Sequence, residues 1–414
     1  MIHHVAVHAR PAGMYRFFLV VETQKERPGM RFSNSIFATL LKAIDRRRFA
    51  AFVERHGGDD YDKSFRSWDH LVALVFAQLA QADSLRGLVA VWNANAHHHY
   101  HLGTAALCKS TLSDANARRP VAVFSDTFAH LSARAGRVLR REGAEMLRLL
   151  DATPIPLGRL IDWAGWNGRT HGLKLHVVYD PAADHPQRIE VSRSNVNDIT
   201  VAQDMPIEAG VTYVFDKAYC NYAWWTRIHD AGSVFLTRRK TNARLRVTRR
   251  RGLRKQLGDG FKVLDDAEVR LTTQGRRKLA IPMRRIRIKR DDGGTLTLIT
   301  NDLQRPALEI AALYKRRWQI ELLFRWLKQH LKLSKFIGRS ENAIRLQIVA
   351  AMIAYLLLRI AAALSRTGLS AIRFAELVGG PLFVRKPLAR IDKPPEVNPS
   401  HRRPDPNQLE FCYA

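Results

Sequence analysis

Cysteine is nearly missing from these 414 residues: Cys108, Cys220 and Cys412 are far apart and odd in number. That argues against a disulfide framework or a thiolate zinc site, and it suits a reducing cytosol. Acidic residues are scarce too, 38 Asp plus Glu against 67 Lys plus Arg, for a formal net charge of +29. A chain this basic needs a polyanion or a membrane surface as its partner. Long unbroken apolar runs are also lacking. Tyr15 to Val21 is too short to span a bilayer and no small-residue cleavage site follows it. Ile348 to Leu364 is interrupted by Arg359 and reads as a buried core helix. The basic residues are spread along the whole chain, so the expected partner is a long DNA or RNA track and not a membrane.

The length exceeds what one hydrophobic core usually organises, which predicts a catalytic domain plus at least one smaller module. Residues 1–29 differ in texture from the rest and are expected to be a poorly ordered extension, with Met30 opening a helical pattern over Phe32 to Ile44. Residues 30–145 read as a helical N-terminal domain. Trp68 to Leu79 is amphipathic, and Asp83-Ser84 can cap a helix over Leu85 to Trp92. Lys109 to Asn116 looks like a turn into a short polar helix, which fits a helix-turn-helix-like DNA-binding module or a packing domain with a polar surface. His97-His98-His99-Tyr100-His101 lacks the ligand spacing that wraps one zinc and reads as a solvated loop.

From residue 146 to about 380 strands and helices mix. Leu173 to Tyr179, Arg188 to Ser192 and Val211 to Phe215 read as strands, and Tyr222 to His229 as a helix. Helical periodicity nearly vanishes from 233 to 301, a β-rich and strongly basic insertion. It returns from Ala307 to about Leu377. Residues 381–414 read as a Pro/Arg-rich basic tail.

Asp151 and Asp216 each follow an apolar strand-like run, and Glu321 lies on the helix after the insertion. Strand ends are rigid platforms where ligands gather. Oxygen ligands suit hard cations such as Mg²⁺, and two such ions can serve phosphodiester chemistry. Most strand-end acids only cap turns, so the helix decides the matter. On one continuous helix Tyr314, Arg317, Glu321 and Lys328 would fall within a ~60° arc. An acid among three donors suits a metal ligand beside phosphates. Arg317 can fork onto a phosphate and Lys328 can act as a point charge. The bland alternative is a basic amphipathic helix with incidental i,i+4 pairs.

Tyr314, Arg317, Glu321 and Lys328 match, at all four positions, the Tyr-(2)-Arg-(3)-Glu-(6)-Lys signature of the insertion sequence 4 family of bacterial DDE transposases. The segment around Asp151 (LLDATPIPL) resembles that family's first catalytic Asp, and YVFDKAYCNY around Asp216 its second. Gly172 to His176 and Asn197-Asp198 are similar to the segments between them. The resemblance covers residues 30 to 380. One departure is Ala218, where the family commonly has Gly; if that backbone needs positive φ, Ala costs stability. The resemblance implies an α/β, RNase H-like catalytic core of the retroviral integrase superfamily, with the β-rich insertion ahead of the glutamate helix.

The activity implied is that of a DNA transposase. Asp151, Asp216 and Glu321 would hold two Mg²⁺, with Mn²⁺ as a substitute, while Tyr314, Arg317, Lys328, Arg325 and Lys174 contact DNA. The partners implied are the terminal inverted repeats and target DNA, engaged by a homodimer at the bacterial nucleoid in the cytoplasm. Freed 3′ ends could pass through a hairpin before joining target DNA. An inactive DNA-binding relic and a metal-dependent RNase H-like nuclease are the alternatives. Trp224 and Trp225 are expected in the core, as is His176.

Overall fold

The computed structural model describes residues 34–394 except 61, 63, 141, 158–162, 167, 169–170, 253–256, 259, 273–279 and 332–335. The expected extension over 1–29 and the end of the chain from 395 lie outside the described residues.

The chain opens with helices α1 (Ile36–Leu41), α2 (Arg46–Arg55), α3 (Ser67–Leu79), α4 (Leu85–Ala94), α5 (His99–Leu102), α6 (Lys109–Arg118) and α7 (Val121–Leu139). Side-chain oxygens start several of them. Asp45 accepts from the amides of Arg47 and Arg48, and Ser84 from Gly87, satisfying donors that a helix start leaves open. The periodicity of α3 predicts one apolar face, but the helix is buried nearly all round. Its polar members are therefore paired inside: Ser67 Oγ donates to the Gly58 carbonyl at 3.0 Å, and His70 Nε2 lies 2.8 Å from Asn116 Oδ1.

The middle of the chain builds one sheet from β1 (Leu147–Pro156), β2 (Gly165–Trp166), β3 (His171–Asp180), β4 (His185–Arg193), β5 (Thr212–Phe215), β6 (Val234–Arg238), β7 (Arg244–Arg250), β8 (Leu257–Gly258), β9 (Phe261–Thr272), β10 (Met283–Arg290) and β11 (Thr295–Thr300). Helix α8 (Asp198–Asp204) precedes β5, and α9 (Tyr222–Asp230) links β5 to β6. The strand order is β2-β3-β1-β5-β6-β11-β10-β9-β7, with β4 on β3 and β8 on β9. Strand β1 is antiparallel to β3 and parallel to β5, and β5 is parallel to β6. The basic segment read from 233 thus begins one strand late: β6 belongs beside β5, and only β7 to β11 form the antiparallel extension. The short VFLTR run, buried at its centre, could not say which neighbour it pairs with. Gly172 faces Pro156 across β1 and β3, and a Cβ there would run into the Ile155 carbonyl.

The chain ends in α10 (Ala307–Arg316), α11 (Trp318–His330), α12 (Glu341–Ser365) and α13 (Ala371–Gly379). Helix α12 is long and apolar enough to cross a membrane, yet most of it is buried against α3, α6 and α7. Arg359, which interrupts its apolar run, reaches Asp184 at 2.8 Å. The N-terminal helices, one sheet face and α10 to α12 share one continuous apolar cluster. A second cluster fills the other face, around Phe215, Trp224, Trp225 and Phe235. Of the segment expected as a tail, residues 381–394 are packed: the amide of Phe37 donates to the Leu382 carbonyl at 2.8 Å, and Leu382 and Ile391 are buried. Two well-spaced apolar side chains suffice to dock a Pro-rich segment, and composition hides them.

Candidate active site

The two aspartates are brought together by strand pairing. Strand β1 continues through Asp151, which faces Val177 on β3, but its ladder with β5 stops one residue earlier, at Leu150 opposite Phe215. Asp216 follows Phe215. Asp151 and Asp216 therefore leave the ends of one parallel ladder side by side, a strand spacing of ~4.8 Å apart. Each carboxylate turns back to the backbone: Asp151 Oδ1 accepts from the Ala152 amide at 2.9 Å, and Asp216 Oδ1 from the Lys217 amide at 2.6 Å.

The helix carrying the third acid is not continuous. Helix α10 ends at Arg316, Arg317 forms the joint, and α11 begins at Trp318. Arg317 itself keeps right-handed helical dihedrals, φ −51° and ψ −30°, and side chains converge from both sides of the joint. Arg317 Nη1 donates to Asp151 Oδ2 at 2.9 Å and reaches Glu321 Oε1 at 3.4 Å. Burial and the neighbouring Glu321 push Asp151 up to about 7, against the opposing pull of the Ala152 amide and Arg317. Burial opposes the Arg317 charge, but Tyr314, Asp151, Asp216 and Glu321 together hold its pKa above the usual arginine value.

Tyr314 is buried on α10 beside Arg317, and burial together with Asp216 pushes its phenol up to about 12 despite Arg317 and Arg238. Lys328 sits two turns beyond Glu321; burial of its stem lowers its pKa, and Glu321 opposes that. Arg325 is exposed one turn past Glu321. Lys174 is set apart from this group. Its ammonium is held by Asp198 Oδ1 at 2.8 Å and the Val196 carbonyl at 2.7 Å. Its register places it on the sheet face opposite Asp151.

Sequence reading missed Arg238. Its Nε donates to Asp216 Oδ1 at 3.0 Å. The pairing of Phe215 with Thr237 puts Asp216 next to Arg238, so only knowledge that β6 neighbours β5 could have found it. Ala218 lies in a short 3-10 turn, Lys217–Tyr219, and is not among the non-glycine residues with positive φ, so glycine is not required there. Trp224, Trp225 and His176 are buried, His176 with Nε2 2.8 Å from Ser192 Oγ. The histidine run is not a simple solvated loop: His99 is buried and stacks on Trp92, and His98 stacks on Phe383.

All three acids offer only oxygen donors, which suits a hard divalent cation. Among the described residues no three His, Cys, Asp or Glu side chains form a ready-made cage. Arg317 lies between Asp151 and Glu321 instead, a positive charge between two carboxylates that a cation could replace.

Residues 142–357 match the family described as "Transposase DDE domain", and residues 32–105 match one described as "Domain of unknown function (DUF4372)". A Sinorhizobium fredii protein named as transposase y4zB is 57% identical over 305 residues, covering 73% of this chain and 86% of that protein. A Geobacillus stearothermophilus protein named as the transposase for insertion sequence element IS5377 is 30% identical over 254 residues, 60% of this chain and 66% of that protein. Among solved structures, a piggyBac transposase synaptic complex with hairpin DNA aligns over 89% of this chain and 84% of its own, at 10% identity and a TM-score of 0.47.

Proposed function

This chain belongs to the DDE transposases, and from that premise we propose that Asp151, Asp216 and Glu321 are its catalytic acids and bind the metal that cuts DNA. The observation that carries this reading is that Arg317 joins Asp151 to Glu321 while Asp216 leaves the strand end beside Asp151. The full Tyr314, Arg317, Glu321 and Lys328 spacing supports membership of the insertion sequence 4 group. The antiparallel run β1, β3, β4 with parallel β5 and β6 beside β1 supports an RNase H-like core.

Bound at the three acids, two Mg²⁺ or Mn²⁺ ions would supply Lewis-acid activation of an attacking oxygen and stabilisation of the leaving one. The protein's own residues do the rest. Asp151, when holding metal, would be ionised, any proton passing to solvent, and would release Arg317. The freed guanidinium then forks onto a phosphate next to the cleaved bond. Tyr314 stays protonated throughout the working pH range and donates its O–H to a phosphate oxygen. Arg238 keeps Asp216 aimed through its 3.0 Å bond. Lys328 and Arg325 add charge along the backbone, and Lys174 supports the neighbouring loop through Asp198.

We assign the helices of residues 30–145 to recognition of the terminal inverted repeats, with the exposed polar face of α6 as the reading surface. Two copies would bring both ends together, and the released ends would join target DNA in the cytoplasm. The test is cleavage of a labelled duplex bearing the repeats that flank this reading frame, by wild type and Glu321→Ala, with Mg²⁺ or with EDTA. Metal-dependent cutting that is lost in the variant is expected. Binding without cutting by wild type would overturn the catalytic assignment.

A further inference from the structure

The sheet face turned away from Asp151 carries a polar group of its own. Register sets Lys174 opposite Pro154 of β1 and Ser192 of β4, and His176 opposite Ala152 and Glu190. Lys174 Nζ donates to the Val196 carbonyl at 2.7 Å and to Asp198 Oδ1 at 2.8 Å. The two paired side chains are only 19% and 21% exposed, and among the described residues Asp198 has no other ion pair. Burial lowers the pKa of the adjoining His176 to about 4, so it stays neutral and brings no second cation to Asp198. An ion pair so shielded adds little stability over an apolar pair, because both charges lose their water, but it fixes a position.

That position leads to Asp216. Asp198 is the first residue of α8, and α8 packs against the Lys217–Tyr219 turn. Ala202 of α8 shares one apolar cluster with Tyr219, Phe215 and Trp224. The turn in turn holds the acid: the Tyr219 amide donates to the Asp216 carbonyl at 3.1 Å, and the Lys217 amide to its carboxylate at 2.6 Å. Tyr219 is buried, and burial first, then Asp151, Asp198 and Asp216, raise the pKa of its phenol. The phenol thus lies within electrostatic reach of the brace and of both aspartates. A continuous run of contacts joins Lys174, Asp198, α8, the turn and Asp216, on the face away from Asp151.

We propose that Lys174 and Asp198 are positioning residues for Asp216: their pair sets α8 against the Lys217–Tyr219 turn, and the turn holds the second acid where it can bind metal. The inference rests on the catalytic reading above, which makes Asp216 a metal ligand. It replaces the sequence expectation that Lys174 touches DNA.

The test is binding of Mn²⁺ to the full chain without DNA, read from the electron paramagnetic resonance signal of free Mn²⁺. Lys174→Met should weaken binding about tenfold, as loss of a group that orients a metal ligand does. Lys174→Arg, which can reach both acceptors, should restore most of it. Binding of the end duplex in EDTA should keep its wild-type salt slope in Lys174→Met, whereas a lysine on a phosphate would make that slope shallower by about one. Asp198→Asn is nearly isosteric and should also lose Mn²⁺ affinity, and it decides the matter if Lys174→Met does not fold. Arg345→Met is the matched control. Arg345 also bonds a carboxylate and a strand carbonyl, Glu341 Oε1 and Val191 at 2.7 Å each, but on the other side of the sheet. Its loss should leave Mn²⁺ binding unchanged. Wild-type Mn²⁺ affinity in Lys174→Met or in Asp198→Asn overturns the proposal, and so does an equal loss in Arg345→Met. Wild-type affinity in Asp216→Ala would instead sink the catalytic reading, so the two failures are distinct.

Discussion

The strand-borne and helix-borne halves of the site are built on different terms. Asp151 and Asp216 are fixed by the backbone: they leave adjoining parallel strands, and each accepts from the amide of the following residue. Tyr314, Arg317 and Glu321 straddle a break between α10 and α11, and a single guanidinium at that joint reaches across to Asp151. The first half offers a rigid platform. The second can change its contacts by turning one side chain. Loss of a platform acid should therefore remove the reaction, whereas changes in the adjustable half should weaken it by degrees.

The largest expected effect follows directly. Asp151→Ala and Asp216→Ala should each lower cleavage of the end duplex about a thousandfold or more, with end binding retained, because residues acting as one unit fail together. A gel shift beside a cleavage assay reads both. Substantial Mg²⁺-dependent cutting by either variant would remove the strand ends from the mechanism. Arg317→Lys should cost less, about ten- to a hundredfold. Lysine keeps the charge but cannot fork onto a phosphate or span Asp151 and Glu321. If Arg317→Lys were as inert as Asp151→Ala, the contrast between fixed and adjustable halves would collapse.

How much of this was legible beforehand follows the same division. The helix-borne residues were readable because their spacing is local, and the acids because each ends an apolar run. The joint at Arg317 was not, since every residue from Tyr314 to Lys328 tolerates a helix and the contact that Arg317 makes there, to Asp151, is remote in sequence. Arg238 was hidden because it depends on which strand lies beside β5. The burial of α3 on nearly every side was hidden for a related reason: its apolar stripe is visible, but α12, which covers it, lies far along the chain. Long-range pairing, not local propensity, sets all three.

A smaller effect isolates the charge balance of the platform. Asp151 is pushed up to about 7 in the folded protein, from an ordinary carboxyl near 3.8. The folded state thus binds its proton more tightly than the unfolded chain does. Stability is then full at low pH, falls as pH rises from about 4 to about 7, and levels off above. Metal-free Asp151→Asn should escape that loss. It should match wild type near pH 4 and exceed it at pH 8 by about 1–4 kcal/mol in denaturant melts. Divalent metal should narrow the gap by stabilising wild type alone. Equal curves at pH 8 would mean that burial does not burden this carboxylate.

The smallest effect tests the adjustable half at its most buried point. Tyr314→Phe keeps the ring and its packing on α10, so the fold should stay intact. It removes one O–H, a donor whose net worth to a bound phosphate is about 1 kcal/mol. Cleavage should therefore fall by about tenfold or less, with the loss growing when Arg317 is also replaced by Lys, because both would hold the same phosphate. The wild-type phenol is pushed up to about 12, so the difference between Tyr and Phe should persist unchanged through pH 9. A gap that closes as pH rises through 8 would show that the hydroxyl acts as an ionising group. Strict additivity with Arg317→Lys would separate the two side chains and leave Tyr314 as packing for the joint.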